Sequence, residues 1–435
     1  MSRPDAGTPV STQLGEEYYA LLARHDAMRL RRRLLAPERS PAPREPEPAG
    51  AQQRRYDRAD RELIMRHLPL VTPFDGLIGH LYEVMFRRWP YLRSLFPASM
   101  DFQRRHLAHM FRYLIESPGS PEETAATFTR LGRDHRKLGV RPVHYETFEA
   151  SLREALRVCG GPGLTAELDA AWTRMLRFAV DLMVAGADAA LTEPPAWEGV
   201  VTAHERHGAD LAVLRVRTHE PYPYRAGQYG AVASPLLPHA WRQYSMACAP
   251  RADNVLEFHV RRTGPGGVSE ALVDRTRVGD EVRLGPPAGT MTLDGELTHD
   301  LVMVAGGTGL APVKALLEEL ATRRQGHRRV DVYVGARAPA DLYAARWLAE
   351  LEARRTWLRV VPVFSGEPGP AGTPVGPVAE AVAAGGPWRE RAAYVSGPPR
   401  MVAATVERLA GLGVPAERIH HDPVLGTEPV AGAGR

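Results

Sequence analysis

Between residues 56 and 192 apolar residues recur at steps of three and four. Leu77, Leu81, Val84 and Met85 form one such run, Leu107, Met110, Phe111 and Leu114 a second, and Met175, Phe178 and Leu182 a third. That spacing gives a helix one apolar face. Pro90, Pro97, Pro118, Pro121, Pro142 and Pro162 fall between the segments, where a missing N–H breaks no helix. The pattern predicts an all-helical domain of about six or seven helices. At Pro194-Pro195 the pattern changes. Short β-branched runs follow: 200–202, 211–216, 230–232, 256–260 and 282–284. Strands at this spacing predict a small antiparallel barrel. From Asp300 strands alternate with helices. Runs 301–305, 330–334, 359–364 and 392–396 alternate with helices from Ala311, near 341–354 and through 401–412. That is the pattern of a doubly wound parallel α/β domain.

The order therefore divides the chain into four parts: an extension over 1–55, a helical domain over 56–192, a barrel over 193–296 and an α/β domain over 297–435. The extension carries a possible helix around Glu16–Arg33, then a Pro-rich stretch over 40–48 that supports neither helix nor central strand. A disordered linker is the plain expectation for it, and an Arg-rich docking element the alternative.

Composition narrows the function. The 435 residues contain only Cys159 and Cys248, too few for a disulfide framework or a four-cysteine iron–sulfur cluster. A reducing cytoplasm fits, and no secretory apolar core follows the N-terminal charges. No apolar run reaches the length of a membrane span. The net charge of +4 comes from a chain whose basic residues are nearly all arginine, with Lys137 and Lys314 the exceptions. With abundant Ala, Gly and Pro, this is the composition of GC-rich coding, so the charge alone does not imply nucleic acid. A monomer or weak dimer is expected.

The chemistry concentrates in short motifs. Arg242-Gln243-Tyr244-Ser245 lies in a predicted strand. Its arginine, tyrosine and serine would share one face and hold a phosphate, an aromatic ring and a ring nitrogen, as a flavin requires. Tyr229 precedes it; His259 and Arg261 follow on the next strand. Gly266-Gly267-Val268-Ser269 then leads into a helix, where free N–H groups can meet a pyrophosphate. In the α/β domain Gly306-Gly307-Thr308-Gly309-Leu310-Ala311-Pro312 sits between a strand and a helix, and Gly397-Pro398 with Met401 forms a second such turn. Glycines there let the backbone approach a dinucleotide.

In this order the motifs resemble the ferredoxin–NADP reductase superfamily over about residues 198–422. The resemblance implies FAD on the barrel, contacted by Tyr229, Arg242, Tyr244 and Ser245, and a nicotinamide cofactor on the α/β domain. Gly335-Ala336-Arg337 and Asp341-Leu342-Tyr343 look like those of NADH-using oxygenase reductases, while Arg337 leaves NADPH open.

The helical segment resembles the globin domain of flavohaemoglobins over about 58–192. It carries Tyr82, Phe96, Gln103, Leu107, His135 and Tyr145 in that order. The resemblance makes His135 the proximal ligand of haem b and Phe96 an aromatic packed on the haem. It makes Tyr82, Gln103 and Leu107 the distal residues. Tyr145 and a carboxylate on the last helix, here Asp188, would back the proximal histidine. His106 and His109 read as non-ligands. Two features depart from the family: Asp is shorter than the usual Glu, and the segment Ile419 to Gly426 has no aromatic for the flavin.

The implied activity is that of a nitric oxide dioxygenase. NAD(P)H reduces FAD, FAD reduces the haem iron, and oxygen and nitric oxide become nitrate. The alternatives are a haem-dependent peroxide or oxygen reductase, a globin-coupled redox or gas sensor, and the flavin reductase component of an oxygenase system.

Overall fold

The computed structural model describes residues 56–116, 120–322 and 328–422. The N-terminal extension with its expected helix, Pro118 and the end of the C-terminal segment beyond Asp422 lie outside the described residues. Six helices come first: α1 (Arg58–His67), α2 (Phe74–Arg88), α3 (Asp101–Glu116), α4 (Pro121–His135), α5 (Pro142–Gly160) and α6 (Ala166–Ala189). Their apolar faces close on one core that includes Leu81, Tyr82, Phe111, Leu156 and Trp172.

Helix α4 matters most for function. It starts at a capping box: the Ser120 hydroxyl accepts the Glu123 N–H, and the Glu123 carboxylate accepts the Ser120 N–H. Its far end is pressed backbone to backbone against α6. A Cβ at Gly132 would come within 1.9 Å of the Met183 carbonyl oxygen, and one at Gly186 within 2.1 Å of that of Thr129. Only glycines permit this crossing, and it fixes where His135, the last residue of α4, points.

The second part is a six-stranded antiparallel sheet. Its strands are β1 (Trp197–His207), β2 (Leu211–Thr218), β3 (Tyr229–Ala233), β4 (Trp241–Ser245), β5 (Val255–Arg261) and β6 (Glu281–Leu284), in the order β4-β3-β6-β1-β2-β5. A bridge between Met246 and Phe258 joins the two edges, so the sheet curls toward a barrel. A short helix, α7 (Val268–Glu270), runs on into a π-turn over Ala271–Arg275.

The third part is a parallel sheet ordered β11-β10-β7-β8-β9, made of β7 (Asp300–Gly306), β8 (Val330–Ala336), β9 (Leu358–Phe364), β10 (Arg391–Ser396) and β11 (Ile419–His420). Helices α8 (Leu310–Thr322), α9 (Ala345–Arg354), α10 (Val378–Ala384) and α11 (Pro399–Gly411) cover it. Chain order reverses between β7 and β10, which puts the ligand crevice of an open α/β sheet at their carboxyl ends. Helix α10 was not foreseen. It has seven residues, of which only Val378, Ala379 and Val382 are buried, too few for a periodic signal. The helix expected from Asp341 begins instead at Ala345, after a 3₁₀ turn over Pro339–Asp341. Among the described residues no helix is long and apolar enough to cross a membrane.

Candidate redox centres and their cofactor sites

The helical domain packs four of the expected haem residues, Tyr82, Phe96, Leu107 and Tyr145, on one core. Tyr82 on α2 is buried, and its ring meets Phe96 edge-on at 5.6 Å between centroids and stacks on Phe86 at 5.8 Å. Burial drives the Tyr82 hydroxyl well above the ordinary range, with Arg104 opposing, so it stays protonated and a donor. Gln103 and Leu107 sit one helical turn apart on α3. The Gln103 Oε1 is buried with no hydrogen-bond partner among the described residues. A buried polar atom left unpaired is costly, and its presence marks a side chain placed for something other than packing.

His135 ends α4. Its Nδ1 lies 2.8 Å from the Leu131 carbonyl oxygen, one turn back on α4. An acceptor there fixes Nδ1 as the protonated nitrogen and leaves the Nε2 lone pair available, the tautomer a metal ligand needs. Burial lowers the imidazole pKa, keeping the ring neutral. These groups fit haem: a neutral imidazole, a protonated phenol, an amide whose oxygen has no partner among the described residues, and apolar walls.

The backing of His135 differs from expectation. Tyr145 is half-buried, and burial pushes its hydroxyl up to about 12. Asp188, however, is exposed near the end of α6. No hydrogen bond or ion pair among the described residues joins its carboxylate to His135 or Tyr145. At this helix end its side chain points to solvent, so the Leu131 carbonyl orients the imidazole instead.

On the barrel, β3 and β4 pair with Tyr229 opposite Ser245 and Val232 opposite Arg242. Period two then places Gln243 and Ser245 on one face and Arg242 and Tyr244 on the other. The expectation that arginine, tyrosine and serine share a face is thus corrected for Ser245. Tyr229, Gln243 and Ser245 line a cavity of about 280 Å³. Met291, Val395, Ser396, Gly397, Val402 and Asp422 close it from the α/β side. Arg242 lies across the Phe102 ring of α3, with 5.2 Å from guanidinium to centroid.

Three other expected flavin contacts have partners within the protein. His259 shares a face of β5 with Glu257 and Arg261, away from the barrel core formed by Leu256, Phe258 and Val260. Its Nε2 meets Glu257 at 3.1 Å and its Nδ1 meets the Tyr343 hydroxyl at 2.7 Å, so it joins the barrel to the α/β domain instead of facing the cavity. Arg261 is held by Asp210 at 2.6 Å. In the glycine turn, Gly266 adopts φ +73° and its N–H donates to the Glu270 carboxylate, while the Val268 side chain enters the barrel core. Ser269 is buried and accepts the Thr263 N–H at 3.1 Å. A pyrophosphate at this turn requires Glu270 to move.

The two nicotinamide motifs do meet. Gly306 ends β7, Gly307, Thr308 and Gly309 form a 3₁₀ turn, and Leu310, Ala311 and Pro312 open α8. A Cβ at Gly309 would stand 2.3 Å from the Ser396 carbonyl oxygen, and one at Gly306 would stand 2.4 Å from the Met401 sulfur. The two turns are therefore in contact across β7 and β10, and Gly397, at φ +155°, borders the flavin cavity. Pro398 caps α11. Arg337 is exposed, with Asp341 at 3.7 Å.

Sequence reasoning missed Asp422. Its carboxylate accepts the Thr290 N–H at 2.9 Å and lines the cavity beside Tyr229. Burial raises its pKa above the ordinary carboxylate value. Nearby His420 stacks on Tyr394 at 4.6 Å, so the C-terminal segment contributes a carboxyl to the cavity where an aromatic is absent. The His-His-Asp-Pro run was the available signal.

Three family profiles match in sequence order: globin over residues 79–183, the oxidoreductase FAD-binding domain over 198–293 and the oxidoreductase NAD-binding domain over 303–407. The reductase part is similar to an aromatic O-demethylase reductase subunit from Amycolatopsis, at 38% identity over 47% of this chain and 61% of that protein. It is also similar to the naphthalene 1,2-dioxygenase system ferredoxin–NAD(P)+ reductase component of Pseudomonas putida, at 34% over 54% of this chain and 71% of that one. A flavohemoprotein from Rhizobium meliloti is 27% identical over 80% of this chain and 92% of its own length. The fold is that of the flavohemoglobin of Malassezia yamatoensis, solved with FAD and heme, with a TM-score of 0.69 at 19% identity over 84% of this chain and 98% of that one. With a globin joined to FAD-binding and NAD-binding oxidoreductase domains, this chain belongs to the flavohaemoglobin family and takes haem, FAD and a nicotinamide dinucleotide as cofactors.

Proposed function

We propose that the chain is an NAD(P)H-dependent nitric oxide dioxygenase, in which nitric oxide, oxygen and one electron give nitrate. The observation that carries this reading is the pairing of an oxygen-polarising pocket with a flavin cavity in one polypeptide. When bound, the nicotinamide supplies hydride, the flavin divides it into single electrons and the haem supplies the oxygen chemistry. His135 Nε2 would hold the haem iron. Tyr82 and Gln103 stand as donors toward a diatomic ligand, and Leu107 keeps the rest of the pocket apolar.

The flavin end is arranged for proton and hydride movement. Tyr229, Gln243 and Ser245 line the side of the cavity given by the barrel, and Gly397 leaves room for a nicotinamide ring on the other. Asp422 can hold or release a proton there, since burial favours its neutral form. Arg242 and Tyr244 on the same strand would contact the rest of the FAD. The Asp341 partner of Arg337 lessens the positive charge available to a 2′-phosphate, which favours NADH.

The test is steady-state turnover of the purified holoprotein with NADH and oxygen. Nitric oxide should be consumed and recovered as nitrate, faster than an alkyl peroxide is reduced. Preference for the peroxide points to the haem peroxidase reading, for which the exposed Asp188 is the motive. Lack of a Soret band removes both.

A further inference from the structure

Among 55 basic residues the chain has only two lysines, and both are buried where domains meet. Lys314 on α8 reaches Glu257 of the barrel at 3.1 Å and lies 5.1 Å from the Trp347 ring centre. Lys137 repeats the arrangement between globin and barrel. It sits in the turn Arg136–Leu138, immediately after His135, and is 8% exposed. Its ammonium pairs with Asp134 and lies 5.2 Å from the ring centre of Trp241.

The barrel provides a slot for this side chain. A Cβ on Gly285 would meet Lys137 Cδ at 2.9 Å and Nζ at 3.2 Å. Trp241 also carries the Arg283 guanidinium at 5.6 Å. A lysine stem with a compact ammonium suits such a slot better than a planar guanidinium. Trp241 is the neighbour of Arg242, which lies over Phe102. Two successive residues of β4 are thus gripped by the two helical segments that bracket the haem pocket, Trp241 from beyond α4 and Arg242 from α3.

We propose that Lys137, seated on Trp241 in the slot left by Gly285, is a positioning residue that docks the His135 helix on the flavin strand and sets the geometry for flavin-to-haem electron transfer. This rests on the reading of the chain as one nicotinamide–flavin–haem circuit. Neither Lys137, Trp241 nor Gly285 belongs to the haem, FAD or nicotinamide sites described above. Asp134 is 45% exposed, so water can solvate its carboxylate when the ammonium is removed.

The experiment is anaerobic rapid mixing of the holoprotein with NADH, following flavin bleaching and haem reduction separately, with ferricyanide reduction as a readout of the flavin alone. Lys137→Met and Gly285→Ala each remove the contact from one side. Both should slow haem reduction by about tenfold or more, within the roughly 10²-fold that a misplacement near 1 Å can cost. Flavin bleaching and ferricyanide reduction should stay at the parent rate. The double variant should be no slower than the worse single variant, because both changes break one contact. Parent-rate haem reduction in both variants, additive losses, or loss of bound haem or FAD would each overturn the proposal. A parent protein whose flavin bleaches while its haem stays ferric overturns the circuit itself.

Discussion

Replacing Gln103 by leucine separates the pocket's function from its stability. The Gln103 Oε1 is buried and unpaired among the described residues, so the haem-free fold bears its desolvation without return. Such a group costs about 1–3 kcal/mol. Gln103→Leu is nearly isosteric, removes that cost and adds apolar contact beside Leu107. The haem-depleted variant should therefore be more stable than the parent by about 1–3 kcal/mol, read as a higher urea midpoint for loss of helical signal. The loaded protein should respond in the opposite sense. The amide donates to a ligand that gains negative charge, and hydrogen bonds to charged acceptors are worth about 1.5–3 kcal/mol. Oxygen should then leave the ferrous variant roughly 10- to 150-fold faster, taking a factor of ten per 1.4 kcal/mol. Flash photolysis or oxygen displacement by carbon monoxide measures this. A variant less stable without haem, or one that releases oxygen at the parent rate, refutes the placement of Gln103 as a ligand donor.

Other consequences concern the reductase. Asp422→Asn should slow flavin reduction by NADH and flatten its pH dependence, because the only carboxyl among the described residues lining the cavity is lost; rapid mixing across pH checks both. Asp341→Asn frees Arg337 from its partner at 3.7 Å and should raise kcat/KM for NADPH relative to NADH, by a few-fold for so exposed a pair. The barrel–α/β junction should weaken in acid. Burial holds the His259 pKa below its usual 6.5, so the unfolded chain binds more protons as pH falls past that value. Glu257 acts in the same direction: burial alone would raise its pKa, but His259 and Lys314 outweigh it and hold it at about 2, so its contribution is complete above the ordinary 4.5 and lost toward 2. Thermal unfolding should show stability rising with pH from 4 to 7, and His259→Gln should flatten the upper part of that rise.

The sequence was most legible where a pattern repeats. Three- and four-residue apolar steps exposed the helices, and the change at Pro194-Pro195 marked the passage to strands. Motifs were legible as well: the turn at Gly306 to Gly309 and the turn at Gly397 occupy adjacent strand ends, as their spacing implied. Side-chain direction was harder to read. Ser245 was assigned to the face of Arg242, although adjacent residues on a strand must point apart. His259 looked like a flavin contact because it follows the flavin strand, yet it lies on the outer face of β5 against Tyr343. Asp188 rests on the resemblance, which supplies a carboxylate on the last helix but not its direction, and one residue turns a helix by a large fraction of a turn. The run around Asp422 does not say what its carboxyl meets, and Lys137 carries no motif. Their roles come from chain segments far away, Thr290 for one and Gly285 for the other, and only the tertiary fold brings those together.

On the proposed function, electrons drawn from NADH reach the haem, where oxygen and nitric oxide become nitrate. Rapid mixing of the NADH-reduced, oxygenated holoprotein with nitric oxide tests it directly. One nitrate should form per nitric oxide, faster than with a simple oxygen-carrier globin and for as long as NADH lasts. Nitrate formation no faster than in such a globin, or a single turnover that NADH does not renew, would contradict it.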